Sequence, residues 1–159
     1  MRIATAAFSA VASLMLAAPA FAVTVEARTS PAFQEKLKDD LGVREEKILT
    51  DRLSEKVTHV FNLRGVKADR VVVTIEDAKP NRPTWEQTAD KPGLDPMRSI
   101  SIGGARVTGI AFDASGKEIG KFEYKWYESN IANVIPGATW DDAQKTFDRF
   151  ASRFADKLA

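Results

Sequence analysis

Two periods of hydrophobic spacing organise this chain. Val23-Thr-Val-Glu-Ala-Arg28 alternates every second residue and is rich in β-branched side chains, which predicts a short strand. Thr29 or Ser30 then caps a helix opened by Pro31, whose missing N–H costs nothing at that position. Phe33, Leu37 and Leu41 share one face of this helix, and Gly42 stops it. A longer helix follows from about Val43 to Leu63, with Leu49, Leu53, Val57, Val60 and Phe61 at helical spacing and Gly65 closing it. The next strand is Arg70–Glu76, with Val71, Val73 and Ile75 on one face. A strand, a helical crossover and a second strand imply a parallel pair with a right-handed connection.

After Glu76 the pattern changes. Pro80, Pro83, Pro92 and Pro96 fall within seventeen residues, with Trp85 among them, which predicts a proline-rich loop at 79–97. The chain is expected to be extended again from about Arg98 to Asp113 and to turn at Asp113-Ala-Ser-Gly116 into a hairpin. The return strand, Lys117 to Tyr127, alternates Phe122, Tyr124 and Trp126 against Lys121, Glu123 and Lys125, so one face is core and the other wet. Pro136-Gly137 ends the following loop. Thr139 is then expected to cap a last helix with Asp142 three residues on, and Trp140, Ala143, Phe147, Phe150, Ala151, Phe154 and Leu158 form its apolar stripe. Helices with one apolar stripe and a sheet with one aromatic face bury each other in an α/β (α+β) two-layer sandwich. The expected fold is a small mixed sheet of about four strands with helices on one face, in the order β-α-α-β-β-β-α.

The first twenty-two residues do not belong to that fold. Arg2, the apolar run Ile3 to Ala18, the breaker Pro19 and the small-x-small sequence Ala20-Phe21-Ala22 read as a secretory signal peptide cut near Ala22. The expected mature chain is one domain, 23–159, soluble in the periplasm or the medium. Arg2 is one of 23 basic residues, so the remainder balances the 22 acidic ones. That neutrality gives no electrostatic reason to bind nucleic acid or an anionic membrane surface. The absence of cysteine excludes disulfides, thiol catalysis, thiolate metal sites and a lipoprotein anchor, and leaves stability to packing. No later stretch reaches the roughly 18 apolar residues of a membrane span.

Candidate chemistry is sparse. His59, the one histidine, sits beside apolar positions of the long helix and reads as a surface or core-edge residue. Glu76 and Asp77 are adjacent on a strand and so are expected to point to opposite faces, and Asp113 has the ordinary work of bonding turn amides. Gly103-Gly104 lacks the strand-glycine-helix context of a nucleotide motif and reads as a bulge or close backbone approach. No catalytic residue, metal ligand or cofactor is assigned. The proline-rich loop is the best functional candidate, because Arg82, Trp85 and Arg98 are side chains typical of binding anchors and loops of this length are commonly functional.

Ser101-Ile-Gly-Gly-Ala105, the run to Asp113-Ala-Ser-Gly116, the return strand, Trp140 and the helix ending Phe150-Ala-Ser-Arg-Phe-Ala-Asp-Lys-Leu158 together resemble a broad group of exported bacterial proteins. Their domain is similar in fold to the amino-terminal domain of the Tol-system periplasmic protein, and the resemblance spans roughly Val23 to Leu158. It implies a non-catalytic envelope module that binds proteins or wall components. Many relatives carry a lipoprotein cysteine, which this chain lacks. Two alternatives stand beside that expectation. One is a carboxylate-dependent hydrolase of a wall carbohydrate or peptide, which needs two convergent acids, or an acid with His59, in a pocket. The other is a small apolar ligand-binding protein with a void beneath Phe122, Tyr124 and Trp126.

Overall fold

A mixed four-stranded sheet forms the floor of the molecule. Strands β1 (Thr24–Thr29) and β2 (Arg70–Lys79) run parallel, β3 (Gly104–Phe112) is antiparallel to β2, and β4 (Glu118–Tyr127) is antiparallel to β3. The spatial order is β1-β2-β3-β4. Helices α1 (Pro31–Lys36), α2 (Arg44–Leu63) and α4 (Asp141–Leu158) cover one face, and a short helix α3 (Trp85–Asp90) interrupts the β2–β3 connection. The computed structural model describes residues 23–134 and 137–159, so the expected leader at 1–22 and Pro136 lie outside the described residues.

Local chemistry explains the element ends. The Ser30 hydroxyl accepts from the Phe33 N–H at 3.3 Å, and Pro31 follows at the first helical position. The helix then widens into a π-type turn over Leu37–Leu41 and stops at Gly42, whose φ of +95° suits a residue without a Cβ. Leu49, Leu53, Val57 and Phe61 are the buried residues of α2, as their spacing requires.

Three boundaries differ from expectation, each for a local reason. β2 runs on to Lys79 through a bulge at Glu76, where the pairing steps from Ile75 with Val107 to Asp77 with Arg106. β3 starts at Gly104 and not near Arg98, because the Asp95 carboxylate accepts from the N–H groups of Met97 and Arg98 and folds that stretch into a turn. Thr139 does not cap α4. The helix begins at Asp141 after Trp140, and the Thr139 carbonyl instead accepts from the Asn81 N–H at 2.7 Å.

The core lies between α4, α2 and the sheet. Phe147, Phe150, Phe154, Ala143, Ala151 and Ala155 are fully buried on α4. Opposite them β3 presents small residues, Ala105, Val107, Gly109 and Ala111, which leaves room for the rings. A Cβ on Gly109 would lie 2.7 Å from both Phe150 and Phe154. Both rings also pack against Phe122 with centroids 5.8 Å away, Phe154 stacked and Phe150 tilted. Phe122 is thus in contact with the helix and does not roof a void there, contrary to what the apolar-ligand reading requires.

Along the flank of α4 a cationic row covers the aromatic row of β4. Arg149 stands over Trp126 at 4.2 Å, Arg153 over Tyr124 at 4.7 Å and Lys157 over Phe122 at 5.9 Å. Four helical residues rise about 6 Å and two strand residues about 6.6 Å, so the rows stay in step over three pairs. Each pair contributes about 0.5–1 kcal/mol at such half-exposed sites.

Phe150→Ala should cost about 3–5 kcal/mol, the range for large aromatic deletions in cores. Urea denaturation reads it directly, and an unchanged midpoint would show that the α4 stripe is not the core.

Candidate functional site

The β2–β3 connection is tied down by a buried polar clamp. Asn81 is fully engaged. Its N–H donates to the Thr139 carbonyl and its carbonyl accepts from the Ser101 N–H at 2.8 Å. Its side-chain oxygen accepts from the Asp142 N–H at 2.8 Å, and its amide nitrogen donates to Asp142 Oδ2 at 2.5 Å and to the Ser101 carbonyl at 3.2 Å. Asp142 also accepts from the Gly103 N–H at 3.2 Å and from Lys145 Nζ at 2.8 Å. Burial opposes the charge on Asp142, but the hydrogen bonds from Lys145, Asn81 and Gly103 outweigh it and hold the carboxyl below the usual range. A Cβ on Gly103 would sit 2.6 Å from the Asn81 side-chain oxygen. Gly103 is therefore the close backbone approach expected of this glycine pair, and its partner is this clamp.

Helix α3 is held as firmly. Thr84 and Gln87 form a capping box, each side chain bonding the other residue's N–H at 3.2 Å. Gln87 Nε2 then donates to Asp40 at 2.8 Å, and Lys91 pairs with the same carboxylate, whose pKa is lowered chiefly by that lysine. Arg82 braces the rest of the loop, donating to the carbonyls of Gly137 (2.7 Å), Pro96 (3.2 Å) and Met97.

The three residues singled out from the sequence thus have different situations. Trp85, on the first turn of α3, is 78% exposed, so it does not close over the core. Arg98 is exposed just after Met97, which is 75% exposed. Arg82 donates to Pro96 and Met97 within the loop and to Gly137 beyond it, and acts as a brace that fixes the backbone next to Arg98. The proline-rich loop is an ordered platform with a helix in it, a feature that Thr84-Trp-Glu-Gln87 encoded as a capping box.

The other candidates have structural partners. His59 is exposed on α2. The bulge breaks the alternation expected at Glu76 and Asp77: Glu76 accepts from the Thr108 hydroxyl at 2.8 Å, and Asp77 accepts from Lys36 at 2.8 Å and from the Tyr127 hydroxyl at 2.5 Å. Burial, and then the Asp77 carboxylate, push the Tyr127 hydroxyl well above its ordinary pKa. Asp113 bonds the hydroxyl and N–H of Ser115 and the N–H of Lys117, as a turn aspartate does.

Between α1 and this loop lies a cleft of 340 Å³, walled by Lys36, Asp40 and Leu41 on one side and by Lys79, Arg82 and Ile100 on the other. It was not foreseen, because its walls come from segments about forty to sixty residues apart. Its one carboxylate, Asp40, is already engaged by Lys91 and Gln87, and His59 is not in its lining. The paired acids that the hydrolase reading requires do not line this cleft. Among the described residues no three His, Asp or Glu side chains converge as metal ligands would, and no helix is long and apolar enough to cross a membrane.

No family model matches the chain, and no curated protein matches it. Among solved structures, a "putative lipoprotein" of Caulobacter crescentus CB15 is 15% identical over 84% of this chain and 83% of that one, with a TM-score of 0.31. A likeness that loose decides neither fold nor function.

The clamp makes stability depend on pH with a definite sign. The folded pKa of Asp142 lies below the ordinary 3.8, so its contribution is complete above that value and is lost as pH falls through the lower folded value. Asp142→Ala should cost about 1.5–3 kcal/mol at neutral pH, since it also strands Asn81. Asp142→Asn should flatten the acid limb of the stability–pH curve, and an unchanged acid limb would mean that the carboxylate is not charged in the clamp.

Proposed function

We propose that the chain is a non-catalytic binding module of the bacterial cell envelope, exported by its leader, with the α3 loop as its contact surface. The observation that carries this reading is Trp85: a large aromatic side chain held in solvent on a helix whose capping box and ties to Asp40 fix its backbone. Tryptophan and arginine dominate binding hot spots. Prior fixation matters because ordering a loop on binding subtracts from affinity, and here the helix backbone is held beforehand. Met97 and Arg98, on the same connection, add an exposed apolar and an exposed cationic side chain on a backbone fixed by Asp95. The leader supports the periplasmic or secreted address, and the resemblance to exported envelope proteins with a Tol-like domain supports a protein or wall component as the partner.

Immobilised wild-type protein and its Trp85→Ala variant, compared for capture from envelope extract, test the reading. Capture should weaken by more than about 1 kcal/mol, while thermal stability stays within about 0.5 kcal/mol. Equal capture by the two proteins would remove Trp85 as an anchor, and a large stability loss would make it a structural residue.

A further inference from the structure

The cleft on the inner side of the same loop has an unbalanced charge inventory. Its lining includes three cations, Lys36, Lys79 and Arg82, and one carboxylate, Asp40. Lys36 is paired with Asp77, and Asp40 with Lys91. Lys79 is exposed at the end of β2 and has no carboxylate within salt-bridge distance among the described residues. Arg82 bonds backbone carbonyls, which orient its guanidinium without neutralising it. Ser99 adds a neutral donor, because its oxygen accepts from the Asp95 N–H at 3.0 Å and no acceptor among the described residues takes its own proton. Asn81, Gln87 and Ser101 also line the cleft, but their side chains donate to protein acceptors, and the apolar part of the wall includes Leu41, Leu94 and the 42% exposed Ile100. The volume of 340 Å³ lies at the lower end of small-ligand sites, which run from about 300 to 1,000 Å³.

We propose that this cleft binds an aliphatic carboxylate, with Lys79 and Ser99 holding the anionic head and Ile100 and Leu94 against the aliphatic body. The end of a peptide chain and a free short-chain acid present that chemistry alike. This inference does not rest on Trp85, which is absent from the cleft lining.

Isotope-labelled protein titrated with N-acetyl-leucine, N-acetyl-leucinamide and 4-methylpentanoate, followed by amide chemical shifts, tests it. The two acids should give saturable shifts at Gln87, Ser99, Ile100 and Ser101. Lys79→Gln should weaken that binding about three- to fivefold, as removal of one exposed charge partner does, and the uncharged leucinamide should bind as weakly or not at all. Tighter binding of N-acetyl-leucine than of 4-methylpentanoate assigns a peptide end, and the reverse ranking a free acid, each within the proposal. No saturation up to about 10 mM, tenfold above a millimolar Kd, would overturn it. So would equal affinity for the leucinamide, or an unchanged affinity in Lys79→Gln. Trp85→Ala should leave these titrations unaltered, which separates this site from the outer face of the loop.

Discussion

The contact on which the rest of this structure depends is the seating of two phenylalanine rings on the bare backbone of one glycine. Phe150 and Phe154 of α4 reach the sheet at Gly109, where any Cβ would meet both rings at 2.7 Å. Close approach there lets Phe122 pack on the same rings and lets Phe61 of α2 meet Phe154 edge-on at 5.5 Å. One aromatic cluster therefore joins both long helices to the sheet. Its rim is sealed by Arg149, Arg153 and Lys157 lying over the aromatic side chains of β4, an arrangement possible because the helical and strand repeats nearly coincide over this length.

Once α4 is seated, its first turn is placed with it, and that positions the loop end of the molecule. Asp142 arrives beside Asn81 and Gly103, so the start of the long loop and the start of β3 are tied to one buried carboxylate. Trp140, at the same helix end, donates its indole N–H to Glu45 on α2 at 2.6 Å. From Asn81 onward the loop is built outward by the Arg82 brace and the α3 capping box. Trp85 on the outside and the cationic cleft on the inside are two faces of the same supported segment.

Much of this was legible in the chain. The strands, the two long helices, the shorter helical segment before them and the parallel crossover followed from apolar spacing, because those residues face one large core whose period each element must match. The hairpin followed from Asp113 and Gly116. What could not be read depended on pairs distant in sequence. Asp142 has the spacing of a capping residue, and its actual partners, Asn81 and Gly103, are set by tertiary packing. Arg82 has the composition of a binding residue, and only the fold puts three carbonyls within its reach. The role of Gly109 was equally hidden, since a glycine in a strand signals a close approach without naming what approaches.

The central claim is that the glycine gap at position 109 sets how closely α4 lies on the sheet. Gly109→Ala tests it most directly. Stiffening the unfolded chain would by itself favour the variant by about 0.4–1 kcal/mol, whereas forcing a methyl group against two fully buried rings costs about 1–3 kcal/mol. Equilibrium urea denaturation of Gly109→Ala should therefore show a net loss of stability, partly recovered when Phe150→Leu is added to make room. A stability equal to or above that of the wild type would show that the rings do not rest on this glycine.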